Sequence, residues 1–520
     1  MRQSHLILSN ALIIWISRIL LLVPQLIMVP YLIQTIGEAG YGVYVLMWSL
    51  MMAIAQLQTS LQSGVVKYSA AFLAKEQIDR VSRVCSSAFV YAALLGVGAC
   101  IGISVPALLL AGASAELSTS LLVISAFVLV TIPLTPYIAV IQSRQRYYVG
   151  VIAETLAKYV SLAVVIAWFN LVGPSVEALV AIMAGTLFLS RLAQVPVAYR
   201  MVPGLQNHVG LFDWQTSRRI ASFGALAVAV SACLIANTAG VRWLMGILVS
   251  TSFVAHATIM LMPGTLLTQV VQAITITIMP AASAYEATGN RAALLELLLR
   301  GTRYTTILVI ACLTAACVLM PTVLTAWVGG EYEFLAPYSL VLLSSSAFLL
   351  STSPAHHMLK GLGRLQVVAF AYFVGLVLVP ALFISVVLAI RGNPYFAVTA
   401  GIAMGNTTCG LLQMTFAMRA ANACFRKGLV RAYAQPIIAA LVVCPVTIAA
   451  VVHWEINGIP GGLCAGTLTV AAFFATVYTL FATPGEREQA REIVSLCSSR
   501  IARSWIVSPR LRRRSNADAS

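Results

Sequence analysis

Charge is what this sequence of 520 residues has least of: 9% are Asp, Glu, Lys or Arg, where an average soluble domain has about 25%. That shortage excludes a soluble globular enzyme, which has to cover its surface with charge. The spacings of chelating and cross-linking chemistry are missing too. The ten cysteines, from Cys85 to Cys497, never approach a CxxC pattern and mostly lie inside apolar runs. They read as free, small core residues with no disulfide framework or zinc site. No group of His, Cys and carboxylate has ligand spacing, so neither a metal nor an organic cofactor is expected. The apolar stretch 6–33 contains no small-residue cleavage site and reads as a retained first helix, not a signal peptide.

What is present is apolar surface: 60% of residues are hydrophobic and the mean hydropathy is +0.92. A membrane-crossing helix needs about 20 mostly apolar residues. Fourteen such runs, helices 1 to 14, fall near 6–33, 43–66, 84–112, 120–141, 151–171, 177–199, 220–240, 253–279, 304–327, 338–358, 365–390, 397–418, 432–453 and 461–482. The expected fold class is therefore an all-α polytopic membrane protein. Arg242 and Gly246 interrupt the passage from helix 7 to helix 8.

A formal charge of +16 would point to nucleic acid in a soluble protein, but the positions of the charges overrule that reading. With the N-terminus inside, 27 of the 32 basic residues fall in cytoplasmic segments, eight of them in the tail. The opposite loops hold Arg391, Arg242 and the acids Glu38, Glu116, Glu177, Glu331, Glu333 and Glu455. This positive-inside asymmetry, with an even number of helices, places both termini in the cytoplasm of a multi-pass plasma-membrane protein. The tail 483–520, with Arg510 and Arg512 to Arg514, reads as a basic segment held by anionic headgroups. Every outer loop is short, so no soluble catalytic domain hangs outside.

The two halves of the chain echo one another. Ser69 to Lys75 after helix 2 aligns with Ala282 to Thr288 after helix 8 at an offset of 213, and Pro136 to Arg146 aligns with Pro354 to Arg364 at an offset of 218. Both matches lie six helices apart. Parallel repeats of that kind are a transporter architecture, with the substrate site between the halves. Arg and Pro also gather at any cytoplasmic helix end, which is the plainer explanation of the same matches.

The opening segment carries Asn10, Arg18, Pro24, Pro30-Tyr31-Leu32, Gly37, Tyr41-Gly42-Val43-Tyr44, and then Gly64 and Lys67-Tyr68; later come Trp327-Val-Gly-Gly330 and Lys360-Gly-Leu-Gly-Arg364. In these residues the chain resembles the polysaccharide transporter branch of the multidrug/oligosaccharidyl-lipid/polysaccharide (MOP) exporter superfamily, which includes the O-antigen and exopolysaccharide flippases. The resemblance implies a V-shaped pair of six-helix bundles (1–200 and 201–418), two further helices (419–482) and the tail. It also implies alternating access that moves a polyprenyl-diphosphate-linked oligosaccharide across the bacterial inner membrane, alongside a polysaccharide polymerase and chain-length machinery. Arg242 departs from the acidic or polar residue expected after helix 7.

Charge inside a bilayer costs about 2.5–3.5 kcal/mol per group on insertion scales and usually faces a cavity or a partner. Arg18 lies about twelve residues into helix 1, on a polar stripe with Asn10, Ser17, Pro24 and Gln25. Glu154, Lys158 and Ser161 share a face of helix 5, where Glu154 and Lys158 either line a cavity or neutralise each other. Arg191 in helix 6, followed by Gln194, either lines the cavity or snorkels to the surface. Helix 8 offers His256, Gln269 and a hydroxyl and amide face of Thr265, Thr268, Gln272 and Thr275, suited to sugar hydroxyls or simply to helix packing. His256, with Glu154, is a candidate for ion coupling, although a lone histidine is more often a packing residue. His356 and His357 are expected to solvate the cytoplasmic mouth. Arg18, Lys158 and Arg191 against Glu154 leave a cationic pocket that suits a diphosphate. Three other functions stay open: a cation-coupled multidrug exporter, a membrane glycosyltransferase or polymerase, and a non-transporting scaffold. Labelling of introduced cysteines in intact cells is expected to reach the Glu331 loop from outside only and the tail from inside only; the reverse pattern would overturn the topology.

Overall fold

A computed structural model of the chain describes residues 2–481, apart from 74, 111, 113, 145, 276, 423–424 and 454–457. Side chains are described from Leu20 onward, excluding also 60, 219, 221–227, 273, 280, 425–429, 431–432, 451–453, 458–460, 462–463 and 480–481. The basic tail and Glu455 lie outside the described residues.

Lipid gives the backbone no hydrogen-bond partners, so each apolar run closes its own N–H and C=O groups within a helix. All regular structure among the described residues is helical. Eleven helices are long and apolar enough to cross a membrane. Three further runs complete the fourteen. Gly37, at φ 73° and ψ 172°, breaks Arg2–Leu73 into helices 1 and 2. Helix 12, Pro394–Ala420, carries Asn406, Thr407 and Gln413 among its apolar residues, and helix 14 has the shorter apolar core Cys464–Thr479.

Five helices are continuous: helix 3 (Ile78–Leu110), helix 5 (Tyr147–Leu171), helix 9 (Arg291–Trp327), helix 12 (Pro394–Ala420) and helix 13 (Phe425–His453). Helix 6 is Val176–Leu192 continued by Gln194–Met201, and helix 8 is Thr251–Thr275 followed by Ile278–Ala287. Helices 7 and 11 each contain a π-helical turn, at Ala236–Gly240 and Phe373–Leu378. Helix 4 stops at Thr131 and resumes as Thr135–Ser143; helix 10 stops at Ser351 and resumes as Ser353–Gly361. Each resumed piece has nine residues with proline second, Pro136 or Pro354, where its missing N–H costs nothing. The offset of 218 therefore maps one kinked end onto the other.

Packing repeats in the same way. Helix 4 packs on helices 2, 3 and 6, and helix 10 on helices 8, 9 and 12; helix 5 pairs with helix 6, and helix 11 with helix 12. Helices 13 and 14 both lie against helix 9. Helix ends alternate so that Glu38, Glu116, Glu177, Glu331 and Glu333 share one face, here the acidic face, while Lys67, Arg80, Arg144, Arg200 and Arg364 share the opposite, basic face.

The halves meet mainly through helices 1 and 2 against helices 7 and 8. Leu32, Met47, Met245, Ile259 and Met260 from these four helices are fully buried. Near the acidic face helix 2 approaches helix 8 so closely that a Cβ on Gly42 would collide with the Thr251 carbonyl. The segment joining the halves, 202–213, is fastened to helix 3: Ser82 Oγ accepts from Gln206 N at 3.0 Å, Ser86 Oγ from His208 N at 3.3 Å and Ser87 Oγ from Asp213 N at 2.9 Å. Asp213 then caps helix 7, its carboxylate accepting from Gln215 N and Thr216 N.

One placement is corrected. Arg242, expected on an outer loop, lies inside the last helical piece of helix 7, Val241–Leu248, half-buried beside Tyr41. Its Nε is buried without a hydrogen-bond partner. The break between helices 7 and 8 has shrunk to Val249 and Ser250, which the offset of 213 matches to the turn at Gly37. Gly42→Leu is expected to lower stability by about 1–3 kcal/mol through overpacking, measured as a thermal shift in detergent. Gly98→Ala on helix 3, where a Cβ meets nothing within 4 Å, is expected to be neutral or slightly stabilising.

Candidate functional site

The ionisable side chains of the first half converge where helices 2, 5 and 6 face one another. Arg191 Nη1 donates to Gln58 Oε1 at 2.8 Å, tying helix 6 to helix 2. Lys158 Nζ stands 5.3 Å from the centre of the Trp48 ring, tying helix 5 to helix 2 by a cation–π contact. Glu154, one turn before Lys158, is exposed and acts electrostatically on both Lys158 and Arg191. Within 4 Å it forms no ion pair among the described residues. The intrahelical Glu154–Lys158 bridge that the spacing offers is thus not closed, because the Trp48 face draws the ammonium away. Ser161, on the same face, instead donates to Met183 Sδ.

Helix 1 joins this group from the side. Tyr159 Oη donates to the Leu20 carbonyl at 2.9 Å, so helix 5 is fixed to helix 1 two residues beyond Arg18. The side chains of Arg18, Asn10 and Ser17 lie outside the described residues. Gln25 faces the other half, with Nε2 3.4 Å from Met262 Sδ of helix 8. Two polar atoms close to Arg191 are buried without partners: Gln58 Nε2 and Gln194 Oε1. Gln58 and Trp48 escaped the sequence reading, since a glutamine and a tryptophan in an apolar run have no distinguishing period.

The polar face of helix 8 is largely used up by its own backbone. Thr265, Thr268 and Thr275 hydroxyls donate to the carbonyls four residues earlier, and Thr275 is buried against Ser353. Gln272 is exposed and Gln269 half-buried with an interaction of its own. His256 sits far from the charges of helices 5 and 6, at the acidic face, 3.2 Å from Glu38. His356 is corrected: it is buried and stacked on Tyr372 with ring centres 5.3 Å apart, so it packs the core instead of solvating a mouth.

A separate hollow of about 900 Å³ lies between helices 9 and 13, lined by Leu313, Cys317, Ile437, Leu441, Cys444 and Pro445. Its lining carries no charge, in contrast to the site on helices 2, 5 and 6. The eight described cysteines are free thiols, and among the described residues no three His, Cys, Asp or Glu side chains are grouped to hold a metal.

Neither a protein-family model nor a curated protein matches the chain. Solved structures do. The chain is similar to the inward-facing conformation of a multidrug resistance MATE family transporter of the MOP superfamily, at TM-score 0.65 and 14% identity over 81% of this chain and 94% of that one. An outward-facing conformation of such a transporter matches at TM-score 0.61 and 14% identity, over 81% and 96%. The chain has the fold of the MOP superfamily transporters. A further similar structure, at TM-score 0.58 and 13% identity over 80% and 95%, is a MOP superfamily transporter from Pyrococcus furiosus whose binding pocket is described as reversed in polarity, suggesting a different function.

Gln58→Leu strips Arg191 of its acceptor and is expected to destabilise the protein by about 1–3 kcal/mol, toward the lower end because Arg191 is half-buried. Gln58→Glu is expected to retain stability. Thermal unfolding in detergent distinguishes the two.

Proposed function

We propose that the chain is a flippase that moves a polyprenyl-diphosphate-linked oligosaccharide across the bacterial inner membrane by alternating access, with the basic face and both termini in the cytoplasm. The observation that carries the reading is the charge balance of the first-half site. Lys158 and Arg191 are held at half-buried positions by Trp48 and Gln58, with Glu154 as their one acidic neighbour among the described residues. A positive field in a medium of low dielectric attracts a diphosphate. Arg18, on the stretch of helix 1 just before the carbonyl that Tyr159 grips, adds a guanidinium that can bind phosphate oxygens through two parallel donors. Gln25, Gln269 and Gln272 are the amide side chains that this reading assigns to sugar hydroxyls. The reversed pocket polarity described for the Pyrococcus furiosus transporter supports the idea that this fold accepts either sign of cargo. Membrane lipids, and a polysaccharide polymerase with its chain-length machinery, are the partners this role requires.

A multidrug exporter coupled to cations is the second reading, and one observation favours it: the Glu154 carboxylate is exposed and unbridged, as a cation site needs. The two readings separate on opposite substitutions. Surface polysaccharide restored to a flippase-deletion strain at matched expression is expected to be partial with Arg18→Lys, mostly lost with Arg18→Ala, and kept with Glu154→Gln. Wild-type polymer from Arg18→Ala refutes the diphosphate role. Drug efflux that depends on Glu154 would establish the exporter instead.

A further inference from the structure

At the acidic face one carboxylate from the first half meets two elements of the second, one of them braced by a third. Glu38 follows the break at Gly37. Its Oε1 accepts from Tyr332 Oη at 2.8 Å and stands 3.2 Å from His256 Nε2. The other ring nitrogen, Nδ1, lies 2.7 Å from Tyr395 Oη of helix 12. The imidazole is walled by Tyr332, Phe334 and Tyr395, with ring centres at 5.8, 5.7 and 6.0 Å. Tyr395 packs in turn on Phe253 and Tyr338. The Glu38 side chain is 38% exposed, so water reaches its carboxylate, while the His256 side chain is 13% exposed with Nε2 buried.

We infer that Glu38, His256, Tyr332 and Tyr395 form a proton-sensitive latch that holds the two halves together at the acidic face. The inference rests on the alternating-access reading, because a state open at this face has to part helices 1 and 2 from helix 8. Other contacts close the same end: Gly42 against the Thr251 carbonyl, and Trp327 Nε1 donating to the Leu26 carbonyl at 2.7 Å. Those contacts hold no ionisable side chain. The latch does.

The ionisable groups around His256 come from every packed element. They are Glu38 and Tyr41 from helix 2, Arg242 beside Tyr41 from helix 7, Tyr332 with neighbouring Glu331 ahead of helix 10, Tyr338 from helix 10, and Tyr395 from helix 12. Imidazole is the side chain whose ordinary titration falls between about pH 5 and 8, where carboxylates stay charged and tyrosines and arginines stay protonated. A neutral ring has one N–H. Tyr395 can donate to Nδ1, while Nε2 stands 3.2 Å from Glu38 Oε1 without an aligned hydrogen bond, so the neutral latch holds only weakly. Protonation makes both ring nitrogens donors and turns the Glu38 contact into a charge-assisted pair. Closure therefore takes up a proton: it is strengthened as pH falls and weakened as pH rises. Acidity at this face drives the empty protein back to the form open at the basic face.

The test uses the full chain in lipid nanodiscs with no substrate. Spin labels on non-natural amino acids at positions 114 and 393, one in each half at the acidic face, leave the native cysteines in place. The ratio of short to long distances is expected to rise about fivefold from pH 8 to pH 5.5, the factor separating a charge-assisted from a neutral hydrogen bond. His256→Gln is expected to flatten the response, and Glu38→Gln to do the same by removing the other charge. A wild-type distribution indifferent to pH, or a His256→Gln variant that folds and responds like the wild type, overturns the latch; should His256→Gln fail to fold, the Glu38→Gln response decides in the same way. Polysaccharide export at one fixed pH tests the flippase reading separately, so failure of one does not pass for failure of the other.

Discussion

Lipid donates and accepts no hydrogen bonds, and each polar group of this chain is placed under that constraint. Most serine and threonine hydroxyls bond the carbonyl three or four residues back on their own helix, as Thr155, Thr258, Thr306 and Thr469 do. Such groups ask nothing of their neighbours. The few that reach across to another helix are therefore the ones that organise the molecule: Gln58 to Arg191, Tyr159 to Leu20, Tyr332 to Glu38, Trp327 to Leu26. Between these crossing groups lies apolar packing, which holds helices together without choosing which pairs must part.

The two halves use these crossing groups differently. In the first, the cations are inside, steadied by an aromatic face and an amide. In the second, helix 8 has spent its hydroxyls on itself, and the histidine it offers has moved to the rim. A repeated backbone thus carries unlike sites, one suited to gripping an anion at depth and one suited to sensing the medium at the surface. The repeat of packing partners around helices 4 and 10 shows that the asymmetry lies in side chains and not in architecture.

How legible this was varies with the physics. Fourteen apolar runs and the face on which charges gather follow from local composition, and the kinked ends at Pro136 and Pro354 follow from a proline tolerated in a first helical turn. Arg242 was misplaced because an arginine and a glycine in ten residues look like a loop, whereas the helix accommodates the arginine beside Tyr41. Glu154 and Lys158 have the spacing of a bridge, yet no period announces that Trp48, over a hundred residues away, takes the lysine. The partners of His256 come from positions 38, 332 and 395, a combination that only the folded chain assembles. Arg18 keeps the standing it has in the sequence, since its side chain lies outside the described residues.

Three serines on helix 3 change what the connecting segment is. With Ser82, Ser86 and Ser87 holding the backbone of Gln206, His208 and Asp213, the stretch between helices 6 and 7 is not a slack tether but an extension of the first rigid body. The free length between the two bodies shrinks to the cap of helix 7 at Asp213. A pivot that short cannot pay out chain, so one body can tilt about it but cannot slide past or drift from the other. In the alternating access proposed above, the halves would work like tongs with a fixed rivet, the travel of their jaws set by the angle at that rivet and not by the length of the string between them.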